Sequence, residues 1–320
     1  MVRIARLGEG KSGFDNVLPG KRFRKMLRQQ IQVRAVGEAV CHLPIASGRE
    51  CCRLKGAPMT LKFAVHLTGI AALCSVIFIG SAAGEEKLVG TYGEVRTGLA
   101  FKLPEATVQK LLPEGWEPVP MASGPYKDAN LNVVFVDCLT VQNPDGRPGE
   151  IVLIAQLVVP ARKKGTEPIV PMIVAGLTSA AGHVPEPYGN FSHAKVTIDR
   201  HLHTDADGAF MVEEAWEFVG DSGDKIQLQL KYVRGVATRS KIETRVYSGA
   251  NPDFYQIYRF EQTVDIVQSV PSGIDRTQKV AFASSGPKFS QIFNGSEQLI
   301  SITSLPFYSR QVTLPGDEAR

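Results

Sequence analysis

Cysteine is scarce in this chain and poorly placed for a disulfide scaffold. Five occur in 320 residues, and four of them (Cys41, Cys51, Cys52 and Cys74) precede residue 84. Only Cys138 follows, so the segment from Gly84 onward can form no internal disulfide and must depend on an apolar core. Cys138 itself lies in an apolar run, where a thiol is expected to be inert core. Histidine is also thin, with six in the chain and none after His203. That leaves His201-Leu202-His203-Thr204-Asp205 without later ligands. Alternation puts both histidines with Lys195, Thr197 and Asp199 on a polar strand face, so a solvated strand end is the reading and no metal is expected. No Gly-x-Ser-x-Gly elbow and no Gly-rich phosphate loop is present, and no cofactor is implied. Internal repeats and low-complexity tracts are absent as well.

Charge is not evenly spread. Residues 1–58 hold 12 Lys+Arg against 4 Asp+Glu, whereas residues 84–320 hold 23 against 28. The net +4 of the whole chain therefore belongs to its first part. A nucleic-acid partner is not expected, because the balance over residues 84–320 is acidic.

Between these parts lies one long uncharged stretch. Met59-Thr60-Leu61-Lys62 leads into a mostly apolar run from Phe63 to Gly80, followed by Ser81-Ala82-Ala83-Gly84. A basic start, an apolar centre and small residues at a cleavage point are the layout of a secretory signal peptide. Three segments are expected: a non-native, disordered extension over 1–58, a signal peptide over 59–83, and one domain over 84–320. The domain would then be secreted or periplasmic. The alternative is an uncleaved anchor, with residues 63–84 in the membrane and the basic segment inside.

From Gly84 onward the pattern is mainly β. Runs rich in Val, Ile, Tyr and Phe alternate with Gly, Asp, Asn and Pro punctuation. Strands are expected near 92–102, 131–140, 150–160, 169–178, 195–203, 209–219, 225–234, 240–248, 255–267 and 298–304. Pro104 to Leu112 reads as the one short helix, with Pro in its first turn and Pro113-Glu114-Gly115 as its stop. About 237 residues of this kind suit a single barrel or sandwich.

Two hairpins carry the sharpest inference. Asp205-Ala206-Asp207-Gly208 and Asp221-Ser222-Gly223-Asp224 are turns joining three consecutive strands. Val196, Ile198 and Leu202 share a face with Arg200; Phe210, Val212, Trp216 and Phe218 share one with Glu214. If Leu202 faces Phe210, then Ile198 faces Glu214 and Arg200 is its diagonal neighbour. One cation and one anion on an apolar face should pair, since an isolated buried charge is costly. The pair is a structural ion pair, a solvated rim position, or the polar spot of a small-molecule pocket with Trp216 and Tyr232 as walls.

Leu99-Ala100-Phe101-Lys102 through Leu112-Pro113-Glu114 resembles the N-terminal segment of acetoacetate decarboxylases, a strand ending in a basic residue, a short helix, then Leu-Pro-Glu. Gly149-Glu150-Ile151-Val152-Leu153 is similar to the family's next block, and Tyr188 to Val196 falls where the catalytic block follows. The resemblance covers about residues 92–200. It implies an antiparallel, cone-like β-barrel with an internal pocket, and a lysine that forms a Schiff base with a ketone. Here Ser192 or His193 stands in the place of the paired lysines, and Lys195 has outward parity. Lys102 keeps the family's positive charge and Glu150 its carboxylate. The expectation is a small-molecule binder for an anionic or carbonyl-bearing ligand, with Arg200, Glu214, Trp216, Tyr232 and Lys102 around it. The alternative is a divergent lyase or hydrolase using His193, Glu150 or Glu214 as acid or base. Oligomeric state is left open.

Overall fold

Residues 2–5, 85–181 and 188–316 are described in a computed structural model, the first four as backbone only. The expected extension and signal peptide otherwise lie outside the described residues. Among the described residues no helix is long and apolar enough to cross a membrane.

The chain forms β1 (Val2–Ala5), β2 (Lys87–Lys102), α1 (Glu105–Gln109), β3 (Trp116–Pro118), β4 (Leu131–Gln142), β5 (Leu153–Lys163), β6 (Val170–Thr178), β7 (Phe191–Thr204), β8 (Phe210–Gly220), β9 (Lys225–Val233), β10 (Thr238–Ser248), β11 (Tyr255–Ser269), β12 (Ile274–Asp275), β13 (Thr277–Ser285), α2 (Phe289–Ile292) and β14 (Gln298–Leu314). Seven of the strands close on themselves in the order β6-β10-β11-β14-β2-β4-β5, with β5 returning to β6. The arm β7-β8-β9-β13 leaves this ring at β6, and β1 pairs with its outer strand. Pairing is antiparallel except where β6 meets β10 and β7. β10 also pairs antiparallel with β11, and β7 with β8, so β6 is where the sheet branches.

The two faces of the ring have different company. Towards the inside point Val136 and Cys138 of β4, Ile154 of β5, Ile173 of β6, Val246 of β10, Tyr258 of β11 and Val312 of β14, with Tyr92 of β2 packed against both groups. Towards the outside, Leu99, Phe101, Val133, Phe135, Leu157 and Leu177 pack against Trp216, Phe218, Ile226, Leu228 and Phe282 of the arm. This outer layer is the main core. Its Phe135, Trp216 and Phe218 rings stand 5.5–6.3 Å apart. A strand covered on both faces needs apolar residues at consecutive positions, and Val133 to Val136 supply them.

The expected elements are present, with differences that have local causes. α1 stops at Gln109 and does not reach Leu112, because Leu111 and Leu112 donate to Val108 and Gln109, three residues back, and the turn tightens ahead of Pro113. β14 runs ten residues beyond the expected end at 304. Pro306 would interrupt a regular ladder, and the register shifts between Leu305 and Tyr308 to accommodate it. β1, β3, β12, β13 and α2 were not expected. Thr277–Ser285 is largely polar on one side, which hides a strand whose Phe282 is buried in the core.

Candidate functional site

The ring's interior is not purely apolar. Alternation along β2 brings Tyr92, Glu94 and Arg96 inward, and β14 sends Tyr308, Arg310 and Val312 to meet them. Glu94 is wholly enclosed, while the side chains of Arg96 and Arg310 are 11% exposed. The carboxylate accepts from Arg96 Nε at 2.6 Å and from Arg310 Nε at 2.8 Å, with Arg96 Nη2 at 2.5 Å. The guanidinium of Arg96 lies 3.6 Å over the Tyr308 ring, and that of Arg310 lies 4.3 Å from Tyr92 and 4.6 Å from Tyr258. Two cations thus share one anion inside a cage of tyrosines.

Burial alone would raise the Glu94 carboxyl, but the charges and hydrogen bonds of Arg310 and Arg96 outweigh it and hold the group below its ordinary value. Burial tends to lower Arg310, and Glu94 reverses this and keeps it well above the usual range. Among the described residues Glu94 is the one carboxylate paired with either guanidinium. Desolvation raises the phenols of Tyr92 and Tyr308, and takes Tyr188 well above its ordinary value. The Cys138 thiol is pushed up to about 11, chiefly by burial and then by Glu94. Among the described residues, two guanidiniums and one carboxylate meet here, a formal excess of one positive charge.

Tyr188 completes the interior. It is fully buried, and its hydroxyl lies 3.1 Å from that of Tyr258 and 3.3 Å from the carbonyl oxygen of Val246, to which it donates. This is the block in which the resemblance looks for lysines. Tyr188 and Phe191 turn their rings inward, while His193 is 39% exposed and sits 2.9 Å from Asp221.

Arg200 and Glu214 occupy a different layer. In the observed register they stand directly opposite each other, with Ile198 opposite Trp216 and Leu202 opposite Val212. The expected diagonal relation is therefore off by two residues. The hairpin turn is tighter than supposed: Thr204, not Leu202, faces Phe210, so the loop is residues 205–209 and not 203–209. The Glu214 carboxylate is buried between the arm and the outer face of the ring. It accepts from the Thr97 hydroxyl at 2.9 Å and from Trp216 Nε1 at 2.9 Å. Arg200 Nε is 3.8 Å from it, and Arg200 Nη1 donates to Asp137 at 2.8 Å. Arg200 Nε and Nη2 are buried without a hydrogen-bond partner. Tyr232 is buried nearby, its phenol raised by burial and then by Glu214.

The remaining candidates are scattered. Lys102 and Glu150 are both exposed, at the end of β2 and just before β5. His201 is 2.9 Å from Asp199 and His203 is 4.0 Å from Glu213, both on the outer surface of the arm. Among the described residues no group of His, Cys, Asp or Glu is arranged to hold a metal ion. Sequence reasoning thus missed Glu94, Arg96 and Arg310. The available signal was the alternation Tyr92-x-Glu94-x-Arg96, which places two charges and an aromatic ring on one face of the strand.

The chain is similar to an acetoacetate decarboxylase-like enzyme from Sphingomonas wittichii RW1 at 10% identity and TM-score 0.45, over 72% of this chain and 92% of that one. It is similar to the enduracididine biosynthesis enzyme MppR complexed with pyruvate at 12% identity and TM-score 0.44, over 74% and 92%. The acetoacetate decarboxylase of Legionella pneumophila subsp. pneumophila str. Philadelphia 1 follows at 13% and 0.36, over 73% and 86%. No family model and no curated protein matches the chain.

Proposed function

We propose that this chain is an exported, acetoacetate decarboxylase-like protein that binds a small anionic or carbonyl-bearing molecule inside the ring, at Arg96 and Arg310, without lysine-dependent decarboxylation. The observation that carries this reading is the uncompensated cation. Two guanidiniums share Glu94, and burial raises the phenols of Tyr92, Tyr188 and Tyr308 and the thiol of Cys138, away from ionisation. A buried charge of this kind costs several kcal/mol unless something pairs with it. Contacts with the tyrosine faces offset part of that cost, about 0.5–2 kcal/mol each. A ligand oxyanion would supply the rest by accepting from the N–H groups that Glu94 leaves free.

Arg200 fits this role less well, because Asp137 and Glu214 already place two carboxylates around one guanidinium. The buried charged residues include no lysine among the described residues, and Lys195 is exposed on β7. Without an amine at the ligand there is no iminium to draw electrons from a breaking carboxylate bond.

Thermal unfolding against a panel of oxo- and hydroxy-acids tests the reading. A ligand at a hundred times its Kd adds about 2.7 kcal/mol. The response should vanish in Arg310→Gln and persist in Arg200→Gln; the opposite pattern would move the site to the outer layer. Borohydride trapping with a ketone should give no covalent adduct, and an adduct would restore lysine chemistry. N-terminal sequencing of the natural protein should start near Gly84, and a start at residue 1 would remove export.

A further inference from the structure

A second cleft lies away from the ring interior. It has a volume of about 480 Å³ and is lined by Thr107, Lys110, Leu111, Lys288, Gln291 and Ile292. That size falls within the range of small-molecule sites. Its wall joins the turn after α1 to α2, and α2 is anchored by Phe289 and Ile292 in the main core.

The charge of this cleft is of one sign. Lys110 and Lys288 both line it and no carboxylate does. Among the described residues neither ammonium forms an ion pair. Asp224 is the acid closest in influence to Lys288, but its oxygens accept from the Lys288 backbone N–H at 2.9 Å and from the Ser222 hydroxyl at 2.9 Å. Burial draws the Lys288 amine below its ordinary value, with Asp224 opposing only in part. Leu111, Ile292 and Pro287 add apolar surface beside the two cations.

We propose that this cleft binds an amphiphilic anion, a carboxylate or phosphate carried on a short alkyl chain, with the anionic group between Lys110 and Lys288 and the chain along Leu111 and Ile292. Charge complementarity selects the head group and the apolar wall selects the tail. A bound anion also favours the protonated form of Lys288, which makes that amine a reporter.

The test is competitive acetylation of the full chain with acetic anhydride, with peptides carrying Lys288 quantified by mass spectrometry. Octanoate and octyl phosphate should each slow labelling of Lys288 by roughly tenfold, the change expected from one unit of amine pKa. Octyl glucoside, acetate and inorganic phosphate at the same concentration should not. Equal protection by octyl glucoside would show an apolar cleft only; equal protection by inorganic phosphate would show a plain anion site. Either result overturns the proposal, as does protection by none of the five. Lys110→Gln should unfold at the wild-type temperature, since Lys110 is exposed, yet lose most of the protection. Arg310→Gln should keep it, so failure here and failure of the ring site are separable.

Discussion

Glu94→Gln is the most direct perturbation of the ring interior. The substitution keeps the shape of the side chain and removes its charge. Arg96 and Arg310 then face each other with no anion, in a place where Glu94 itself is wholly enclosed. Breaking a buried ion pair by removing one partner costs about 3–5 kcal/mol. For a domain of this size about 2–4 °C of Tm goes with each kcal/mol, so the loss should be roughly 6–20 °C. The dependence on pH has a defined sign. Glu94 is held below its ordinary value in the folded chain, so its contribution is complete above the unfolded carboxyl value of about 4.3 and is lost as pH falls through the folded value. Chemical denaturation of wild type and Glu94→Gln from pH 7 down to pH 2 should therefore give a constant gap that closes in acid. A gap below about 1 kcal/mol at pH 7 would refute the reasoning, since a loss that small is typical of a wet surface pair. A gap that stays constant into acid would also refute it, because the carboxylate would then not be the source.

Two further outcomes follow from packing. Cys138 has its thiol pushed up to about 11, so in the native protein at pH 7 its alkylation by iodoacetamide should lag far behind the rate in denaturant, read by peptide mapping; equal rates would mean that the interior is open. Gly176→Ala should cost about 1–3 kcal/mol in urea unfolding, the range for overpacking. Its added methyl group would meet the Phe191 ring, with the Ala155 carbonyl oxygen 3.1 Å away on the other side. A neutral result would show that β6 and β7 diverge at the branch.

The two polar clusters have different consequences because they sit on opposite faces of the same strands. Thr97 and Asp137 face the arm and tie Glu214 and Arg200 to the ring, with two carboxylates on one guanidinium. Glu94, Arg96 and Arg310 face inward with the charge ratio reversed. The first arrangement fastens two layers; the second sets two cations around one anion. Only a one-residue step along β2, from Arg96 to Thr97, separates them.

Much of this was legible from residues alone. Alternation, turn chemistry and the Val133–Val136 run require a β-rich domain with strands covered on both sides. The pairing of Arg200 with Glu214 follows from the cost of isolated buried charge, even though its register was displaced by the width of one turn. What no local pattern contains is the closure of β5 onto β6. Ring closure decides which face of each strand is enclosed, and period-two alternation names two faces without saying which is inside. That is why Tyr92, Glu94 and Arg96 could be assigned to one face of a strand from the sequence, whereas their meeting with Arg310, more than two hundred residues away, depended on the three-dimensional path of the chain.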